Sequence, residues 1–351
     1  MNLQRRYREE MHKFVRRRHS WVPTALLRPC HCSSHATSEL AQLLKVPHVK
    51  NNIPASIIQK IDKKLHLKKH HPLNIIKTII EEYCNKYASD NGQNSFVIYD
   101  NISPIVTTKQ CFDDLLVASD HVSRSSSDTY YLNDGSLLRT HTSAHQSQFI
   151  RSGVESFLCT GDVYRRDEID ASHYPAFHQM EGVRIFNFKE SISVNDAKAI
   201  IEKDLKNILT GLAKHLFGKD CEMRWKNDYF PFTTPSFELE VKFNGAWLEV
   251  LGCGVIHDQV MVNCNKSNKY GWAFGLGLER LAMILFSIPD IRLFWSDDDR
   301  FSSQFKSNKI IKFQPYSKFP LCYKDVSFWL PSDGLHINDV YEGEYFTPFM
   351  S

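Results

Sequence analysis

The chain has 351 residues, 42% of them hydrophobic and 24% charged, with a formal net charge of +3. That is the composition of a globular protein with room for one large core and a smaller module. No apolar run is long enough to cross a bilayer, which argues against a membrane-spanning role. Residues 1–50 hold ten Lys/Arg against three Asp/Glu, a net +7, so the rest of the chain sums to −4. Bulk charge therefore gives no ground for nucleic-acid binding, and any such site must be a local patch.

At the N-terminus, Leu3, Tyr7, Met11 and Phe14 recur at helical spacing among arginines. The pattern predicts a basic amphipathic helix, and residues 1–40 are expected to be a mitochondrial targeting segment, although Glu9 and Glu10 are unusual in one. The nine cysteines are scattered without a C-x-x-C pair, which fits reduced thiols. Cys30 and Cys32, with His31 and His35 nearby, lack a second ligand cluster of matching spacing, so no structural metal is expected there.

Next comes a run of Lys60, Lys63, Lys64, Lys68, Lys69, His70 and His71. It is read as a solvated face, with contact to nucleic-acid phosphates as the alternative. Leu73, Ile76, Ile79, Ile80 and Tyr83 predict an amphipathic helix over Pro72–Tyr87. Strands are predicted at Phe96–Tyr99, Ser156–Arg166, Phe177–Phe188, Phe237–Phe243 and Trp247–Val255, with helices at Val194–Leu216 and Leu278–Phe286. Their pairing in hairpins predicts an α+β domain over 41–301, an antiparallel sheet flanked by helices. Polar residues 302–314 are read as a linker, and Val326–Leu330 as one further strand.

Two of these strands carry many polar groups. Period-2 alternation puts Phe157, Cys159, Gly161, Val163 and Arg165 on one face, and Phe177, Gln179, Glu181, Val183 and Ile185 on one face. A hairpin between them brings Arg165, Gln179 and Glu181 within reach on one sheet surface. Charge on a central strand is costly unless paired or liganded, so a ligand surface is expected. Glu249 is the single carboxylate of the apolar run Trp247–Val255, either salt-bridged in the core or in contact with a ligand. Gly252 and Gly254 in that run permit close approach to the backbone. Gly271, Gly275 and Gly277 precede a helix opening with Glu279 and Arg280, at the wrong spacing for a dinucleotide loop or a P-loop. An arginine at such a junction can lay its flat guanidinium on a planar ring.

In this order the motifs resemble those of class II aminoacyl-tRNA ligases. Tyr164-Arg165-Arg166-Asp167 followed by His173 and Phe177 resembles the second class motif, and Gly275-Leu276-Gly277-Leu278-Glu279-Arg280 the third. Leu138–Gln146, Phe177–Gly182 and Phe230-Pro231-Phe232 resemble the phenylalanyl-tRNA synthetases of the single-chain mitochondrial type, over about residues 70–330.

The resemblance implies a ligase that joins L-phenylalanine to tRNA(Phe) using ATP and Mg2+. Arg165 would hold the α-phosphate, His173 the outer phosphates, and Phe177 with Arg280 would sandwich the adenine. Glu249, with Asp167 as a second group, would hold Mg2+, unless Glu249 faces the amino acid. Ser143, His145, Gln146, Gln179 and Glu181 would bind the α-ammonium. Phe230 and Phe232 would pack on the substrate ring over a floor at Ala273, with Ala144, Ser172, Tyr174, Met180 and Phe274 completing the substrate-binding set. Without the resemblance, Phe230, Phe232 and Ala273 read as ordinary core.

Lys312–Pro320 and Lys324–Leu330 resemble the opening of a ferredoxin-like anticodon-binding domain, assigned to 315–351, whereas Gly334–Ser351 does not match that family. That module is expected to be incomplete, with 331–351 poorly ordered. The fused module implies a monomer, in the mitochondrial matrix. A catalytically silent paralogue with a binding role is the alternative, against which stand both motif arginines, Arg165 and Arg280. A class II ligase for another substrate is opposed by the Phe-Pro-Phe run.

Overall fold

The computed structural model describes residues 50–316, apart from 62, 189 and 190. The expected targeting segment, and the expected ferredoxin-like module beyond residue 316, lie outside the described residues.

The chain runs through α1 (Ala55–Ile58), α2 (Pro72–Asp90), β1 (Val97–Tyr99), β2 (Ile105–Thr107), α3 (Thr108–Cys111), β3 (Ser136–Leu138) and α4 (Gln146–Arg151). Then come β4 (Ser156–Tyr164), β5 (Ala176–Phe186), α5 (Val194–Phe217), β6 (Met223–Phe230), β7 (Thr233–Phe243) and β8 (Ala246–Ile256). It continues through α6 (Asp258–Asn263), β9 (Tyr270–Gly277), α7 (Leu278–Phe286) and α8 (Asp299–Ser302). Seven strands form one sheet in the order β1-β4-β5-β9-β8-β7-β6, and β2 pairs with β3 apart from it.

The expected sheet was purely antiparallel. The observed one is mixed, because β1 runs parallel to β4. Parallel neighbours need a long crossover, and the segment from β1 to β4 provides it while also carrying the β2–β3 pair and the turn that holds Ser143 and His145. Strand β6 was not predicted. It is an edge strand with mostly exposed side chains, Arg224, Lys226, Asn227 and Asp228 among them, so no buried face imposes an alternation that could be read.

The sheet's two faces differ. On one, Leu158, Met180, Leu239, Val241, Leu251, Val255, Trp272, Phe274 and Leu276 are buried in one cluster with Ile76 and Ile80 of α2 and Ile201, Leu205, Ile208 and Leu209 of α5. These are the inward stripes of the two long helices, and burial of such stripes supplies most helical stability. Trp272 Nε1 donates to Asp204 at 2.8 Å, Tyr87 Oη donates to the same carboxylate, and Arg184 lies 4.4 Å over the Phe96 ring. These polar groups thus find partners inside the protein, although Thr160 Oγ1 and His178 Nε2, which share the face of Met180 by strand alternation, have none.

The stretch read as a linker is strapped to the end of α7. Phe301 and Phe305 are fully buried and Phe313 nearly so. Phe286 meets Phe305 edge-on at 5.4 Å, and the Phe313 amide donates to the Phe286 carbonyl at 2.6 Å. The polar residues masked a phenylalanine set whose rings all turn inward.

Candidate active site

The opposite face carries the candidate chemistry, and strand register sets it out. Gly161 is opposite Gln179, Cys159 opposite Glu181 and Val163 opposite Phe177. Across the next seam Gln179 faces Gly277, Glu181 faces Gly275 and Val183 faces Ala273. Gly252 faces Gly275 and Gly254 faces Ala273. One surface therefore presents a row of carboxamide and carboxylate flanked by glycines. A Cβ on Gly275 or Gly277 would meet nothing within 4 Å, whereas one on Gly252 would stand 2.7 Å from the Phe230 ring. The first two leave the platform bare for a flat ligand, and the third seats an aromatic side chain.

A cleft of about 420 Å³ opens on this surface. Its walls include Arg165, Asp167, Ser172, His173, Tyr174, Phe177, Gln179, Glu249, Gly275, Gly277 and Arg280. Arg165 follows directly on β4; its guanidinium lies 5.2 Å over the Phe177 ring, and its Nε donates to the Thr140 carbonyl at 3.0 Å. The cation is thus pinned at one nitrogen and laid on an aromatic face. Burial works against its charge and Asp167 partly restores it. In the β4–β5 loop, Asp170 accepts from the Ser172 and His173 amides and pairs with His173 Nδ1 at 2.9 Å. The His173 bond holds the Asp170 carboxyl below the usual range, and the loop is a local hydrogen-bonded turn. Arg280 at the start of α7 pairs with Glu249 at 3.1 Å, both about half exposed.

Of the proposed amino-acid residues, Ser172, Tyr174 and Gln179 line this cleft, whereas Ser143, His145, Gln146, Glu181, Phe230, Phe232 and Ala273 lie outside its wall. Glu181 is buried, and neither carboxylate oxygen has a fully formed hydrogen bond, although the Ser143 side chain lies close to it. Burial raises its pKa to about 8, with Ser143 alone pulling it back. Gln146 is fully buried with both amide atoms unpartnered, and His145 Nδ1 is unpartnered too. Phe230 and Phe232 stack at 6.0 Å between centroids. Phe232 packs on a buried cluster that holds Ala273, Val183 and Val260. Buried polar atoms without partners are costly unless a ligand or water satisfies them. An acceptor (Glu181), an amide that can do both (Gln146) and a ring nitrogen (His145) would suit a zwitterion.

Three predicted contacts do not reach this surface. Met180 and Phe274 sit on the helix-covered face, fully buried in its cluster, because they alternate with Gln179, Glu181 and Ala273 along their strands. Ala144 turns away into a small cluster with Val106, Cys111, Phe112 and Leu137. Conversely, sequence reasoning assigned no role to His141. Its Nδ1 is buried without a partner, and burial followed by the Arg165 charge lowers its pKa to about 4. The run Leu138–Gln146 was in view, but a short 3-10 turn gives no periodicity from which side-chain direction can be read.

Among the described residues no group of three or more His, Cys, Asp or Glu is arranged to hold a metal ion. Glu249 and Asp167 both stand on the cleft wall, and Mg2+ is usually held through one or two carboxylates with phosphate oxygens and water completing the shell.

Residues 60–305 match the family of tRNA synthetases class II core domain (F). The chain is 54% identical over 282 residues to the chloroplastic/mitochondrial phenylalanine–tRNA ligase of Arabidopsis thaliana, covering 80% of this chain and 65% of that protein. It is 45% identical to the mitochondrial enzyme of Dictyostelium discoideum, over 89% of this chain and 79% of that protein. It is 46% identical to that of Mus musculus, over 83% and 71% respectively. The chain belongs to the phenylalanine–tRNA ligases of class II. It spans just under two thirds of the length of its Arabidopsis relative. Arg165 and Arg280 line its cleft, and the Phe230-Phe232 pair packs beside Gly252 and Ala273.

Proposed function

We propose that this chain activates L-phenylalanine with ATP and transfers it to tRNA(Phe) in the mitochondrial matrix, acting as a monomer. The observation that carries the reading is the pairing of two ligand-shaped surfaces on one sheet face: the Arg165–Phe177 cleft and, next to it, the unpartnered Glu181 and Gln146 beside Phe232 and Ala273.

A carboxylate oxygen of phenylalanine attacks the α-phosphorus of ATP, and the bond to pyrophosphate breaks, giving phenylalanyl-adenylate. A terminal ribose hydroxyl of tRNA(Phe) then takes the acyl group and AMP leaves. Arg165 serves the first step as an already oriented cation where negative charge gathers. Phe177 offers the adenine one face, and Arg280 covers the other once it leaves Glu249. His173, oriented by Asp170, reaches the outer phosphates. Mg2+ held by Glu249 with Asp167 supplies charge compensation on the phosphates when bound. Glu181 and Gln179 accept from the α-ammonium, together with Ser143, and the apolar floor at Ala273 disfavours a tyrosine hydroxyl. Positioning and charge account for the rate, with no covalent enzyme intermediate.

The test is ATP–pyrophosphate exchange by the purified chain with each amino acid in turn. Exchange with phenylalanine and not with the others is expected; exchange driven best by another amino acid, or by none, would overturn the reading. Charging of tRNA(Phe) by the same preparation tests the second step.

A further inference from the structure

Arg139 touches neither the cleft nor any residue assigned to ATP, yet it is among the most deeply buried charged groups in the protein, 1% exposed. Its guanidinium is fully engaged. Nε donates to the Asp162 carbonyl at 2.7 Å and Nη2 to the Asp162 carboxylate at 2.9 Å. Nη1 lies 3.0 Å from Nε2 of His145 and 3.4 Å from the Ser103 carbonyl. Asp162 is held in turn by the Tyr164 hydroxyl. The group fills the space above Gly161, where any Cβ would run into it, and Gly161 is the register partner of Gln179.

One consequence is chemical. A guanidinium has five N–H donors and no acceptor. Facing it at hydrogen-bond distance, His145 Nε2 must accept, so the ring's proton sits on Nδ1. A second proton is disfavoured, since burial and then the Arg139 charge bring the His145 pKa down to about 3. Nδ1–H is therefore a fixed donor, buried and without a formed hydrogen bond, although the Gln148 side chain lies close to the ring. His145 also lies 6.3 Å from the ring of Phe149, which shares a cluster with Ala273 and Val183.

We propose that Arg139 is a positioning residue that acts through His145: it locks the imidazole in the Nδ1–H tautomer and presents that N–H to the carboxylate of the bound α-amino acid. The inference rests on the amino-acid site proposed above. It divides the labour there, with Glu181 taking the ammonium and His145 the carboxylate.

Two experiments on the full chain test it. In ¹⁵N-histidine-labelled protein, with the His145 signal assigned by its loss in His145→Phe, a neutral Nδ1–H ring is expected. Arg139→Lys, which retains a donor, keeps that tautomer, and Arg139→Met loses it. An Nε2–H ring in the unsubstituted protein would overturn the proposal. In phenylalanine-dependent exchange, Arg139→Met raises the phenylalanine KM about 10- to 100-fold, the worth of a hydrogen bond to a charged group, with the ATP KM little changed. The double variant Arg139→Met/His145→Phe is no worse than His145→Phe alone. Additive losses, or an equal rise in the ATP KM, would mean that Arg139 only supports the fold. If no exchange with phenylalanine occurs at all, the functional reading fails, and the tautomer measurement still decides what Arg139 does to His145.

Discussion

The two faces of the seven-stranded sheet bury polar groups to different ends. On the helix-covered face, Trp272, Tyr87 and Arg184 converge on Asp204 and on the Phe96 ring, a set that closes on itself, although Thr160 Oγ1 and His178 Nε2 on that face stay unpaired. On the open face, Glu181, Gln146 and His145 are just as buried but leave carboxylate, amide and ring nitrogen without partners. Both arrangements cost desolvation, and only the first is repaid within the chain. The difference teaches that burial alone does not mark a site; burial with unmet hydrogen bonds beside bare glycines does.

Substitutions on each face should therefore separate stability from activity. The largest effect is expected for Trp272→Ala, which removes a fully buried ring and should cost about 3–5 kcal/mol of unfolding free energy in denaturant titration. Its soluble fraction should keep an unchanged phenylalanine KM. Arg165→Ala should do the reverse, lowering exchange about 10²- to 10³-fold while the melting temperature moves little. Exchange that survived this change intact would contradict the assigned role.

Asp204→Asn, on the closed face, should cost about 1–3 kcal/mol by disturbing buried partners, again without a kinetic signature. The most specific effect is a pH dependence. The Glu181 carboxyl is raised from 4.5 to about 8 by burial, so between those values the folded state holds a proton that the unfolded state has released. Stability must then fall as pH rises through that window. Glu181→Gln should flatten this slope in pH-dependent melts while weakening phenylalanine binding. Phenylalanine added to the unsubstituted protein should likewise offset the loss at the alkaline end, because its ammonium favours the charged carboxylate. A slope that ignores both changes would show Glu181 to be an ordinary buried group.

Much of this was legible in the chain. The period-2 runs around Gly161, Glu181 and Glu249 and the 3.6-residue stripes of α2, α5 and α7 named the main elements, because alternation is imposed by the face a strand or helix must bury. Motif order pointed to the family, and Arg165, Phe177, Gln179, Glu249 and Arg280 do meet on one cleft. Edge strand β6 escaped for lack of a buried face, and β1, predicted as a strand at Phe96–Tyr99, was not read as a parallel partner because three residues carry no direction signal. Met180, Phe274 and Ala144 were placed in the site by their neighbours in sequence; the strand pleat turned the first two away, and the 3-10 turn directed Ala144 into a separate cluster.

The sequence by itself determined which residue types were available and in what periodicity, hence the layers and the ligand-facing strands, since both follow from local geometry and hydrophobic burial. Only the tertiary structure decided which polar atoms are left without partners and that Arg139, six residues before His145, sets the proton on its ring. Those outcomes depend on distances between segments far apart in the chain, as in Arg139 meeting Asp162 and Glu181 meeting Ser143, and no spacing along one segment encodes them.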